Sequence, residues 1–263
     1  MSEGRSEFPY RRALVTGAGS GLGAELCMLL AAADCAVWGV SRDKARVPAC
    51  TSPVVLDLSD SSALAAFLEN DLPTIDPDLI VNCAGSGVFG CIDDQNASEI
   101  RTQIDVMLAA PALICRAAVP AMRIARHGCI ANVSSMAVDF PLPCMPLYNA
   151  TKAGLSALSA TLTNDLEGTG ICVIDFRPGD FASGFFKATE RVGGSDKAWA
   201  ASENHLDGAP DAKWIAERLF RAIAHGKGGT VRVGTFFQTK LAPFGAKVLP
   251  ECVFSRLKKH YLG

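Results

Sequence analysis

Thr16-Gly-Ala-Gly-Ser-Gly-Leu-Gly23 decides how this chain of 263 residues is read. It follows an apolar run, Arg12-Ala-Leu-Val-Thr16, that reads as a first strand, and it opens a helical pattern from about Gly21 to Ala33. Glycines there permit a tight turn, let backbone approach a pyrophosphate and let the helix lie close to the strand. The helix N-terminus then offers free N–H groups and the positive end of its dipole to an anion. The plain alternative is a glycine-rich joint between two elements. Its place between the first strand and first helix favours nucleotide binding.

Working outward, short apolar runs alternate with longer helical patterns. Strands are expected at Cys35 to Val40, Pro53 to Leu58, Asp78 to Cys83, Cys129 to Val133, Ile171 to Phe176 and Thr230 to Gly234. Helices are expected at Ser61 to Leu68, Ser98 to about Arg126, Leu147 to Glu167 and Asp211 to His225. The strands are too apolar to have a wet face, which implies a parallel sheet covered on both sides. The expected fold is α/β, a Rossmann-type doubly wound sheet of about seven parallel strands with helices on both faces. No repeat or linker interrupts residues 1–263, read as a single domain. Within it, 1–10 is a flexible N-terminus, 183–210 a long substrate-binding loop and 240–263 a C-terminal tail.

Composition narrows the function. A formal charge of −2 gives no electrostatic reason to expect a nucleic-acid partner. The 10 cysteines form no CxxC pair and no Cys/His cluster, so no metal is expected. Cys35, Cys83, Cys129 and Cys172 fall in apolar runs, where a free thiol behaves as a small hydrophobe. The polar N-terminus lacks a signal-peptide core, and no run approaches the roughly 20 apolar residues of a membrane span. A soluble, cytoplasmic protein is expected.

Two further places carry chemistry. Ser41-Arg42 stands where the second strand ends, the position at which an acidic residue would bond the adenosine ribose of NAD. A guanidinium with a hydroxyl suits a 2′-phosphate instead, so NADP(H) is favoured over NAD(H). Asp43 could pair with Arg42 or point back to the ribose. In Tyr148-Asn-Ala-Thr-Lys152 the two ends lie four apart on a helix, on one face. An ammonium beside a phenol favours the phenolate and tunes it for acid/base work near neutral pH, although this spacing also arises by chance on exposed helices.

In this order, these motifs resemble the short-chain dehydrogenase/reductase family, from about Arg11 to Ser183. The TGxxxGxG turn matches Thr16, Gly17, Gly21 and Gly23, and Asn82-Cys-Ala-Gly85 matches its NNAG motif with one change. Asp57-Leu58 falls where the family lines the adenine ring, and Ser135 lies 13 residues before Tyr148, as the family's catalytic serine does. Arg177-Pro-Gly179 with Ser183 matches the nicotinamide-side segment. The resemblance implies that Tyr148 exchanges the proton, Lys152 holds the nicotinamide ribose and lowers the Tyr148 pKa, and Ser135 polarises the substrate oxygen. It implies cofactor contacts at Gly17, Ser20, Gly21, Leu22, Gly23, Ser41, Arg42, Asp57, Leu58, Asn82, Ala84, Gly85, Tyr148, Lys152, Pro178, Gly179, Phe181 and Ser183.

Met107 departs from the pattern, standing where the family has an asparagine whose backbone helps hold a proton-relay water. A main-chain carbonyl could still do so if the helix keeps its kink. The substrate is expected to be a mainly apolar, lipid-like or steroid-like carbonyl or alcohol. It would be enclosed by Val88, Phe89, Val138, Phe140, Leu142, Met145, Phe185 and Phe186. The basic, amphipathic tail suits either a peripheral membrane contact or cover for a sheet edge or subunit. The resemblance implies a homodimer or homotetramer through the helices at 98–126 and 147–167. The rival to an oxidoreductase is a dinucleotide-binding sensor or scaffold without turnover.

Overall fold

The computed structural model describes residues 8–182, 185, 189–194, 199–200, 208–235, 239, 242–248, 251 and 255. Ser183, Phe186, most of the 183–210 loop and most of the 240–263 tail lie outside the described residues, as do residues 1–7 of the expected flexible N-terminus.

Seven strands form one parallel sheet. In chain order they are β1 (Arg12–Thr16), β2 (Ala36–Ser41), β3 (Ser52–Val55), β4 (Leu79–Asn82), β6 (Gly128–Val133), β7 (Ile171–Pro178) and β9 (Gly229–Val233). Their spatial order is β3-β2-β1-β4-β6-β7-β9, so the winding reverses between β1 and β4. A doubly wound sheet opens its ligand crevice at that switch point, beyond the strand C-termini. The centre of the sheet is dry: every residue of β4 and β6 is buried. That is why these strands read as apolar runs in which only Asn82 and Asn132 are polar.

Helices cover both faces. On one face, α1 (Gly21–Ala31) and α7 (Ala212–His225) bury Leu26, Leu30, Ile215, Leu219 and Ile223 against Val15, Val81 and Phe176. On the other, α5 (Ala110–Ala125), with α2 (Ser61–Ala66) and α3 (Leu72–Ile75), covers Leu14, Ile80 and Ile130. The elements begin where local chemistry directs. Asp211 caps α7 through Trp214 N, and Asn96 and Glu99 form a capping box at α4 (Ala97–Ile104). Asp78 accepts the N–H groups of Arg11 and Arg12 at 2.8–3.0 Å and anchors the start of β1.

Four features differ from the sequence expectation. β3 ends at Val55 rather than Leu58, because Asp57 accepts from both the N–H and hydroxyl of Ser59 (2.9 and 2.7 Å) and turns the chain away. The helix expected over Ser98 to Arg126 is interrupted by a π turn, Asp105–Ala109, where Ala110 N–H bonds the Asp105 carbonyl. Pro111 follows the turn and has no N–H with which to satisfy the Met107 carbonyl four residues back. A two-residue strand, β5 (Val88–Phe89), pairs with β8 (Glu190–Arg191) in a second parallel sheet; elements so short carry no periodicity. Finally, Ala97–Ala125 is long and apolar enough, by length and composition, to cross a membrane. Averaged over a window it passes although no unbroken run does, and its inward residues Ala110, Ile114, Cys115, Ala118 and Met122 belong to the core.

The described cysteines are free. Burial pushes Cys27, Cys35 and Cys115 up to about 12 and Cys83 up to about 11, whereas Cys50 and Cys91 are exposed.

Candidate active site

Beyond the strand C-termini lies a cavity of about 560 Å³. Its cofactor end is built from backbone. Gly17 and Gly21 hold φ of +72° and +51°, the left-handed region that favours glycine. A Cβ on Gly23 would sit 2.3 Å from the Gly17 carbonyl oxygen, and one on Gly17 would sit 2.9 Å from Ala84 Cα. The Thr16 hydroxyl accepts the N–H groups of Cys83 and Ala84 at 3.0 and 3.1 Å, tying the glycine turn to the segment after β4. Ser20 begins α1 without a side-chain cap, which leaves the first-turn N–H groups facing the cavity.

Ser41, Arg42, Asp43 and Arg46 line the far wall, with Asp57 and Leu58 beside them. Asp43 is also drawn into a local cap. Its carboxylate accepts Ala45 N–H at 2.9 Å and caps the short turn Lys44–Arg46. Hydrogen bonds from Ser59 hold the Asp57 carboxyl below its ordinary value, with help from the Arg42 charge. Arg46 did not figure among the sequence candidates. Its spacing of four from Arg42 was the available signal.

Among the other expected cofactor residues, Leu22, Ala84, Gly85, Pro178, Gly179 and Phe181 line the cavity. Asn82 does not. It is 2% exposed and donates to Asn132 Oδ1 at 2.8 Å, because strand alternation turns it into the interior beside the cavity wall. Cys83 and Asp180 line the cavity instead, neither of them expected there.

Ser135, Tyr148 and Lys152 meet in the middle of the cavity. Ser135 caps the short helix Met136–Val138, its hydroxyl accepting Ala137 N–H at 3.1 Å. Tyr148 and Lys152 occupy the first two turns of α6 (Pro146–Asp165), which starts on a proline. Lys152 is 4% exposed, donates to the Val133 carbonyl at 2.8 Å, and lies 5.8 Å from the centre of the Tyr148 ring. Burial pushes its pKa down to about 8, against the opposing charges of Cys83 and Asp175.

Lys152 is not among the groups that lower the Tyr148 pKa in this structure. Burial raises the phenol above its ordinary value, a Ser135 hydrogen bond works against that, and the Asp180 charge adds to it.

Met107 is fully buried in the π turn, with its sulfur 4.0 Å from the Thr151 hydroxyl on α6. The neighbouring Leu108 lies close enough to Gly154 that a Cβ there would meet it at 3.1 Å. The distortion of the helix is therefore kept although the asparagine is absent.

The opposite end is made of side chains. Phe89, Met136, Phe140, Leu142, Met145 and Phe185 line it, and the Phe185 ring lies 5.5 Å from that of Tyr148. Val88 and Val138 were expected here but do not line it; Val88 is buried behind the wall. Gln103 accepts Val88 N–H at 3.3 Å and donates to Gln95, which donates to the Gly90 carbonyl, so two buried amides hold this segment. Outside the cavity, ligand atoms of exposed Cys91, Asp93 and Asp94 fall within 4.8 Å of one another, a grouping common without an ion.

Comparison with known proteins agrees with this geometry. A "short chain dehydrogenase" of the fungus Pseudocercospora fijiensis is 28% identical over 192 residues, covering 68% of this chain and 62% of that one. The chain thus spans less than two thirds of that relative's length. A 3-ketodihydrosphingosine reductase of Bacteroides thetaiotaomicron is 27% identical, covering 93% of this chain and 91% of that one. A solved metagenomic short-chain oxidoreductase in complex with NADP is 27% identical, with a TM-score of 0.70 over 88% of this chain and 100% of that one. Residues 11–192 match the family described as short chain dehydrogenase, and the chain belongs to that family of Rossmann-fold oxidoreductases, which use nicotinamide dinucleotides.

Proposed function

We propose that this chain is an NADP(H)-dependent oxidoreductase that interconverts a carbonyl and an alcohol on a mainly apolar, lipid-like substrate. The observation that carries the reading is the meeting of Ser135, Tyr148 and Lys152 in one cavity, with the glycine turn at one end and apolar side chains at the other. The cofactor would lie along Gly17 to Gly23 with its 2′-phosphate against Ser41, Arg42 and Arg46, and would supply or accept the hydride. NADP preference is supported by two guanidiniums at the end of β2 and by Asp43 being turned into its own cap. The relative with a sphingoid ketone in its name supports a lipid-like substrate.

In the reducing direction Tyr148 donates its proton to the substrate oxygen, which Ser135 orients. A phenol with a raised pKa stays protonated through neutral pH and suits this direction. Lys152, charged below about pH 8, holds the nicotinamide ribose and returns a proton to the phenol. The Met107 carbonyl, left without its i+4 donor by Pro111, supports a backbone relay of protons to Lys152 in place of the asparagine.

A homodimer or homotetramer through α5 and α6 belongs to this reading, supported by the exposed Leu113 and Ile124 on α5. So does a reducing, cytoplasmic setting, supported by the free thiols. The test is NADPH oxidation by the purified protein across apolar ketones and aldehydes. Turnover with NADPH and little with NADH is expected. NADPH binding without turnover of any carbonyl would favour the sensor, the reading to which Met107 lends support.

A further inference from the structure

Behind the Ser135–Lys152 cluster, and outside the proposed chemistry, four charged side chains are linked in a row. Asp175 on β7 is 5% exposed. It accepts from the Ser134 hydroxyl at 2.5 Å, the Ser156 hydroxyl at 2.7 Å and Arg177 Nε at 2.8 Å. Arg177 also donates to Ser156 at 2.6 Å and to Asp139 at 2.8 Å. Asp139 is held from its other side by Arg232 of β9, through bonds of 2.8 and 3.0 Å. Two carboxylates and two guanidiniums alternate, so the row carries no net charge.

Filling the same space with apolar side chains would stabilise a fold as well or better, whereas removing one member strands a buried charge. What charge-assisted bonds add is direction, and these reach the segments that carry Ser135, Lys152 and Pro178–Gly179. Ser134 precedes Ser135, and Asp139 follows the short helix that Ser135 caps. Ser156 lies one helical turn after Lys152 on α6, and Arg177 precedes Pro178 and Gly179. Lys152 is faced by Cys83 from the segment after β4, by Asp175 from β7 and by Tyr148 from its own helix, with Val133 as its acceptor. Asp139 and Arg232 are not among the groups that act on it.

The geometry assigns Asp175, Arg177, Asp139 and Arg232 a positioning role: they set Ser135 against the Tyr148–Lys152 face of α6. This rests on the oxidoreductase reading for its activity readout, but the titration of Lys152 is readable without turnover.

The test uses the full chain with Asp175→Asn and Asp139→Asn. It follows kcat against pH, the NADPH Kd, thermal unfolding, and the pH midpoint for competitive acetylation of Lys152 read by peptide mass spectrometry. Asp175→Asn should lower kcat tenfold or more and move both the alkaline limb and the Lys152 midpoint down. NADPH Kd should change by less than about threefold. Asp139→Asn should lower kcat without moving the midpoint. Unchanged kcat and midpoint in Asp175→Asn, or losses that only follow the fraction unfolded, overturn the assignment. If Asp175→Asn does not fold, Ser156→Ala keeps all four charges and removes two bonds of the row: lowered kcat at unchanged Tm supports the role, and wild-type kcat overturns it. A wild-type protein that turns over no carbonyl ends the oxidoreductase reading, while the acetylation midpoint still judges Asp175.

Discussion

The two ends of the cavity are built by different means. The cofactor end is backbone brought close: Gly23 stands where a Cβ would lie 2.3 Å from a carbonyl oxygen, and Thr16 staples two loops with one hydroxyl. The opposite end is apolar side chains from short elements and turns, with the Val88–Phe89 segment held by an amide pair and a two-residue ladder. A backbone site tolerates almost no change in residue type, because only glycine fits. A side-chain site accepts any apolar residue of similar volume. One end is therefore constrained in identity, the other only in character.

Tyr148→Phe is the sharpest way to separate the ends. It should lower kcat by about 10²–10⁴-fold and leave NADPH affinity nearly intact; retained activity in a steady-state assay sinks the proposed acid. Gly23→Ala attacks the backbone end and should weaken NADPH binding by about a hundredfold or prevent stable folding, as titration and thermal melts would show. A variant that binds normally would mean that the turn relaxes at little cost.

On the proposed reading, Arg42→Ala and Arg46→Ala would each remove a charge-assisted bond to the 2′-phosphate, worth about 1.5–3 kcal/mol. Each should raise the Kd for NADPH by about tenfold or more and barely change that for NADH; equal losses remove the cofactor assignment. In pH, carbonyl reduction should hold through neutrality and fall as Lys152 loses its proton near about 8. A profile that rises steadily through pH 9 contradicts the need for a charged lysine. Phe140→Ala should have the smallest effect, raising KM several-fold for long apolar ketones and less for short ones. Equal changes for both would place the apolar wall elsewhere.

This difference also decides what could be read in the sequence. The parallel sheet and Gly17, Gly21 and Gly23 were legible because a periodic or steric demand fixes residue type there, whereas Ser135, Tyr148 and Lys152 came from the family resemblance. Asn82 was misplaced, since one residue of strand alternation decides whether a side chain meets the cavity or the interior. The net direction of the Tyr148 pKa was not legible either, because it is a balance of burial against neighbours. Nor was the row from Asp175 to Arg232. Its members come from β7, β9 and the turn after Ser135, up to 93 residues apart, and each alone reads as an ordinary strand-end or loop charge.

The distribution of thiols makes the molecule its own recorder of motion. Cys27 and Cys35 sit under one face of the sheet and Cys115 under the other, all poorly ionised, while Cys50 and Cys91 stand in solvent. A brief pulse of alkylating reagent on the native protein should mark the exposed pair at once and the buried ones only as their own region opens. Cys83 lies in the cavity wall beside the glycine turn, so its labelling should slow when the cofactor groove is filled.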